Sequence, residues 1–240
     1  MKQIPQLLFL FLPFFILFKS NAQSVRIPNE AESAAVNRVA AAITGAFNNF
    51  DGDDWEKMQD YFSVPSVTIH PSVPIDIDQN FERDYQLKEK SPTFNKLIMP
   101  LIDKMNNYMN QKKYDSVQAL GKKISAMSKF TAYAYVNRQS VNIHPGDKNL
   151  TPVDLTGCDY ACKANEDQYS NETKTYWILF GNWKNAQWNE DNQWLRFHFT
   201  HPANSPYIEN VVVLIIGDND YIKQVIQKTD WIKIKNALTL

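Results

Sequence analysis

The chain has 240 residues, a formal charge of −1 and a composition that is 44% hydrophobic. Over the whole chain 25 basic residues are balanced by 26 acids, so no nucleic-acid partner is expected. Two cysteines exclude a disulfide-dense scaffold, and a chain of this length can bury a core without staples.

Lys2, the uncharged apolar run over residues 7–18 and the triplet Ser20-Asn21-Ala22 predict a cleaved secretory signal over residues 1–22. The apolar run is too short for a permanent span, so no stable membrane span is expected after cleavage. Removing it leaves residues 23–240 as one domain, and because it takes two lysines and no acids the charge becomes −3. The expected location is exported: periplasmic, cell-surface or extracellular.

Residues 30–50 carry Val36, Val39, Ile43, Phe47 and Phe50 at helical spacing, with Asn29 placed to cap the start. Asp53 or Asp54 would cap a short second helix through Trp55, Met58 and Tyr61. Residues 66–70 read as a short strand halted by Pro71, and a proline-punctuated loop follows. Apolar positions from Phe94 to Met127 predict either one bent helix or a helical hairpin broken at residues 110–113, with a kink at Pro100. Residues 130–144 read as a strand with an irregularity near Arg138-Gln139, residues 145–174 as an insertion or loop, and residues 175–183 as a strand. Residues 184–192 look like a hairpin tip. Three strands are expected at 194–201, 210–216 and 221–229, the middle one covered on both faces, and Gly217-Asp218-Asn219-Asp220 reads as a hairpin turn.

Cys158 and Cys162 are close enough in sequence for a local disulfide in an exported chain; free thiols or half of a metal site are the alternatives. His70, His144 and His201 each precede a proline. Gathered at one rim they could hold zinc, but strand punctuation by X-Pro accounts for the same pattern, so no metal or cofactor is assigned.

Three stretches carry a family resemblance. AFNNFDGDDWEKMQDYFSVPSVTIHPS, QWLRFHFTHPANSP and YIKQVIQKTDWIKIKNAL, in that order, resemble the opening, a late strand and the ending of the nuclear transport factor 2-like superfamily, its polyketide-cyclase (SnoaL-like) branch in particular. The resemblance implies an α+β fold: a strongly curved mixed or antiparallel sheet wrapped on N-terminal helices into a cone, here with insertions. It also implies a pocket at the wide end and a possible homodimer through the outer sheet face.

Strand alternation would turn Leu195, Phe197, Phe199 and His201 inward. His201, and Asp230 at the end of the last expected strand, are the candidate acid or base residues. Trp183 and Trp188 flank a polar tip and, with Phe197, Phe199 and His201, are the candidate contacts to a small apolar or ring-containing ligand. The function expected first is an exported small-molecule-binding protein with a mainly apolar pocket, since no catalytic set can be assembled. A cyclase, isomerase or lyase using a pocket His or Asp, and a structural or interaction protein with a filled core, are the alternatives.

Overall fold

The computed structural model describes residues 25–47, 54–61, 66–77, 81–143, 147–164, 173–189 and 194–238. The expected signal segment, the end of the first helix with Phe50 and Asp53, and His144 lie outside the described residues. After a two-residue strand β1 (Val25–Arg26), helix α1 (Glu30–Phe47) starts at a reciprocal cap. The Glu32 N–H donates to the Asn29 side chain and the Asn29 N–H donates to the Glu32 carboxylate, both at 2.9 Å. Arg26 forks onto the same carboxylate. Val36, Val39, Ile43 and Phe47 then form the buried stripe expected from their spacing.

Strand β2 (Trp55–Tyr61) replaces the expected second helix. It pairs antiparallel with β5 (Phe81–Leu87), and a register shift between Lys57 and Gln59 marks a bulge at Met58. Trp55, Met58 and Tyr61 carry a helix-like spacing in the sequence, but the chain here is extended along β5, with Trp55 buried and Met58 exposed. Two short strands, β3 (Val67–Thr68) and β4 (Asp76–Ile77), join β1 in a small sheet. Strand β5 alternates buried Phe81, Arg83, Tyr85 and Leu87 with half-buried polar residues; an arginine in the buried phase hides that period from a hydrophobicity count.

The helical region divides into α2 (Pro92–Leu97), capped by the Ser91 hydroxyl, α3 (Met99–Asn110) and α4 (Tyr114–Ser128). The break at residues 111–113 makes the last two a helical hairpin. Strand β6 (Lys129–Val136) ends at Asn137, whose φ of 49° turns the chain into β7 (Ser140–Val141). Two strands, β8 (Leu150–Pro152) and β9 (Tyr160–Ala164), form within the expected insertion, followed by β10 (Lys174–Phe180), a 3-10 turn at Trp183–Asn185, β11 (Gln187–Asn189), β12 (Trp194–Arg196) and β13 (Val211–Gly217).

The last expected strand is a helix. Asp218 caps α5 (Asn219–Lys228) by accepting from the N–H groups of Asp220 and Tyr221, and α6 (Trp231–Asn236) closes the described chain. The pairs Tyr221-Ile222 and Val225-Ile226 recur every four residues and put all four side chains on one buried face. Their β-branched content suggests a strand, but cap and period together favour a helix.

The fold is α+β. Seven strands form one antiparallel sheet in the order β2-β5-β6-β13-β10-β9-β8, with β13 at its centre and buried on both faces. Helices α1, α5 and α6 cover the inner face over Phe81, Phe130, Ile178 and Val213. The other face holds Tyr133, Tyr135, Cys162, Trp177, Leu179, Val212 and Leu214, and the three-stranded sheet β11-β12-β7 packs on part of it.

The inner face leaves no ligand pocket between α1 and the sheet at Ile43, Phe47, Phe81 and Arg83. The space there is about 10 Å³, no more than one water. Arg83 donates from its guanidinium to the Tyr85 hydroxyl at 3.2 Å and to the Thr44 carbonyl at 3.4 Å, so this polar group is tied into the filled core.

Candidate functional site

The open space lies on the other face. A trough of about 250 Å³ is floored by Tyr135, Trp177 and Val212 of the large sheet and walled by Ser140, Val141 and Asn142 with Trp194. The register explains the floor: Tyr135 stands opposite Val212, and Trp177 opposite Leu214, so these side chains share one face of three adjacent strands. Trp194 is 51% exposed, although it sits on a paired strand beside other aromatic side chains. Its ring forms one wall of the trough.

Arg138 completes the rim. Its guanidinium lies 5.1 Å from the Tyr135 ring centroid, and among the described residues it has no carboxylate partner. Its backbone is held at both ends: the Arg138 N–H donates to the Asn210 side-chain oxygen at 2.8 Å, and the Asn210 amide donates back to the Arg138 carbonyl at 3.1 Å. Next to it, buried Asn137 donates to the carbonyls of Ile75 and Tyr207 and accepts from the Glu209 N–H at 2.8 Å. These bonds knot three chain segments together and fix the Arg138 backbone beside the Tyr135 ring.

A second hollow, of about 360 Å³, lies at the other side of the small sheet, lined by Gln139, Gln187, Arg196, Phe197, His198 and Phe199 with Ser72. Phe197 and Phe199 belong to the outer cluster and not to the inner core, Phe197 being buried and Phe199 half-buried at the edge of this hollow. Ser72 Oγ lies 3.3 Å from His70 Nδ1 while the Gln139 amide nitrogen lies 3.0 Å from Nε2. The Gln139 amide also donates to Ser72 Oγ at 3.0 Å, so Ser72, His70 and Gln139 form one polar cluster.

Other expected site residues fall elsewhere. Trp183 is 4% exposed, packs edge-on to Phe197 at 4.9 Å and donates its indole N–H to the Phe180 carbonyl at 3.1 Å; it is a core residue, not an exposed contact. Its burial follows from the 3-10 turn, which folds the segment back over the sheet instead of extending a hairpin tip. Trp188 is half-buried against the outer cluster. Asp230 stands at the start of α6, makes no side-chain cap bond, and lies 3.5 Å from Lys233, away from both hollows. The expected Cys158–Cys162 link is not formed: both are free thiols. Cys158 packs with the inner cluster and Cys162 with the outer one, and burial pushes their thiols up to about 11 and about 12, so neither is a nucleophile near neutral pH. Among the described residues no group of three or more His, Cys, Asp and Glu could hold a metal.

His201 has a partner that sequence reading missed. Its Nδ1 lies 3.2 Å from the carboxylate of buried Glu209, and its ring stacks on Tyr207 at 3.9 Å. That carboxylate also accepts from the N–H groups of Thr200 and His201 and from the Thr200 hydroxyl, at 2.7–2.8 Å for the shortest of each. Glu209 therefore closes a loop as much as it orients an imidazole. Burial alone would raise its carboxyl, but the donated hydrogen bonds from His201 and Thr200 hold it below the usual range. The Arg26 fork does the same for Glu32 against its burial.

A carboxyl whose folded value is depressed stabilises the fold above its unfolded value of 4.5, and that contribution disappears as pH falls through the folded value. Thermal melts should therefore be flat from about pH 7 down to about pH 5 and fall steeply below it. Glu209→Gln should flatten the acid limb; an unchanged limb would contradict this assignment. No protein-family model, curated protein or solved structure matches the chain.

Proposed function

We propose that this chain is an exported, non-catalytic binding protein that takes a single substituted ring, such as a sugar or an anionic aromatic molecule, in the outer-face trough. The observation that carries the reading is the meeting of Tyr135, Trp177 and exposed Trp194 with Arg138, which among the described residues has no carboxylate partner, in one open space. Ring faces attract the C–H face of a sugar or another π system, and a guanidinium offers five donors to a carboxylate, phosphate or hydroxyl pair. The Ser140 and Asn142 positions supply further polar groups at the rim. A volume near 250 Å³ suits one ring with its substituents.

This reading departs from the expected apolar cone pocket, because the trough mixes rings with polar groups and lies on the outer face, while the space at Ile43, Phe47, Phe81 and Arg83 on the inner face holds no more than one water. It also does not lean on the nuclear transport factor 2-like resemblance. In the stretches that carry that resemblance, residues 55–61 form a strand and residues 219–228 a helix, each the reverse of the expectation. The export half rests on the charged, apolar and small-residue order of residues 1–22.

The test uses protein recovered from an exporting host, whose mass should correspond to a start at Gln23. Tryptophan fluorescence is titrated with neutral hexoses, uronic acids and aromatic carboxylates. One of these classes should bind, Trp194→Ala should weaken it at least about tenfold through lost stacking, and Arg138→Gln should weaken the anionic members selectively. Trp194 is exposed enough that the variant should keep its melting temperature. Binding unchanged in both variants would remove the trough from the account.

A further inference from the structure

The near-zero net charge hides a segregation. Residues 88–129 hold nine lysines, no arginine and three acids, a net charge of +6, while the remainder of the chain carries −7. This basic segment is the helical part: α2, α3 and α4, none of which has a buried residue. Phe94, Leu97, Ile102, Ile124 and Met127 anchor its base on the inner core, whereas no apolar side chain between Asp103 and Lys123 belongs to either core cluster. The hairpin is an arm. Its helix α3 has 12 residues and holds the tip roughly 18 Å from the base.

The tip has its own chemistry. From Lys104 to Tyr114 there are three lysines and no acid, interleaved with Met105, Tyr108, Met109 and Tyr114. Met109 is 49% and Tyr114 64% exposed. Lys104 and Lys113, both exposed, each lie 5.6 Å from the Tyr108 ring, which puts two charges beside one aromatic side chain.

From this we infer that the hairpin tip docks on an anionic lipid surface. Lysine stems with methionine and tyrosine suit the headgroup boundary, where apolar atoms enter and ammonium groups stay with the phosphates. Nucleic acid and phosphopeptide sites favour the arginine fork, which this arm lacks altogether. The charge of the body supports the same geometry: an anionic surface attracts the tip, and the acidic remainder is held beyond a Debye length, about 8 Å at physiological salt. No described helix is long and apolar enough to cross a membrane, so the arm lies on the surface. This inference is independent of the ring-binding trough.

The test is co-sedimentation of the full mature protein with phosphatidylcholine vesicles, with and without about 30 mol % phosphatidylglycerol. The protein should pellet with the anionic vesicles, progressively less as salt rises, and stay in solution with the neutral ones. The double substitution K112E and K113E should weaken binding at least about thirtyfold with an unchanged melting temperature, since both lysines are exposed. The pair M109S and Y114S should weaken it while keeping the salt dependence. Equal pelleting with both vesicle types, or no effect of K112E and K113E, would overturn the inference. So would sedimentation velocity showing self-association lost in that variant, because the arm would then be seated on the acidic body of a second copy.

Discussion

Gly181→Ala is expected to lower the melting temperature by roughly 10 °C or more. Gly181 follows β10 with a φ of 97°, and an added Cβ would overlap the Glu209 carbonyl oxygen and stand 2.9 Å from the Asn210 Cα. Those neighbours are backbone atoms inside the Asn137–Asn210 knot, so they cannot swing aside as a flexible side chain could. Left-handed strain and the forced displacement together cost about 3 to 5 kcal/mol. Gly121→Ala provides the control: nothing lies within 4 Å of its Cβ position, and α4 should gain about 0.5 to 1 kcal/mol. Equal melting temperatures for the two variants would contradict the packing described around residue 209.

Asn137→Ala should be comparably damaging, at about 4 kcal/mol in chemical denaturation. The substitution strands the carbonyls of Ile75 and Tyr207 and the Glu209 N–H, in a position only 3% exposed, and puts alanine at a φ of 49°. Asn137→Gly separates the two causes, since glycine suits the backbone but restores no hydrogen bond. If it recovers most of the loss, strain dominates; the account predicts that it recovers only about 1 kcal/mol. The same knot fixes Arg138, so ring-ligand affinity should fall in Asn137→Gly even at temperatures where it remains folded.

Reading the sequence found the elements whose side chains report directly on burial. The α1 stripe, the irregularity near Arg138 and a central strand within a residue of 210–216 are present as expected, and of the bent helix and the helical hairpin left open by the sequence the structure has the hairpin. Errors arose where two signals compete. The helix-like spacing of Trp55, Met58 and Tyr61 falls on a bulged strand, Arg83 interrupts the buried phase of β5, and the Asp218 cap starts a helix over the β-branched run at 221–228. Strands β8 and β9 are short and polar at their edges, so only pairing with β10 reveals them.

The candidate site was less legible, for a related reason. Its parts come from β6, β7, β10 and β12, far apart in sequence, and the face to which each points depends on a register no local pattern provides. Residues 194–201 read as one long strand facing the inner core, whereas β12 ends at Arg196 in the small sheet and Phe197 packs into the outer cluster, so the face each side chain takes is not visible in the local pattern. Glu209 lies eight residues after His201 across a loop, so only the fold brings carboxylate and imidazole together. The abundance of tryptophan between 177 and 194 was the one local signal of the trough; sorting Trp194 from buried Trp183 required the structure.

The most direct test of the central claim follows the indole N–H resonances of the six tryptophans during addition of the ring ligand that binds tightest. The account predicts that Trp177 and Trp194 shift together while Trp55 and Trp231, packed on the inner face, stay fixed. Movement of Trp55 and Trp231 with Trp194 unmoved would place the ligand against the helices and contradict the outer-face site.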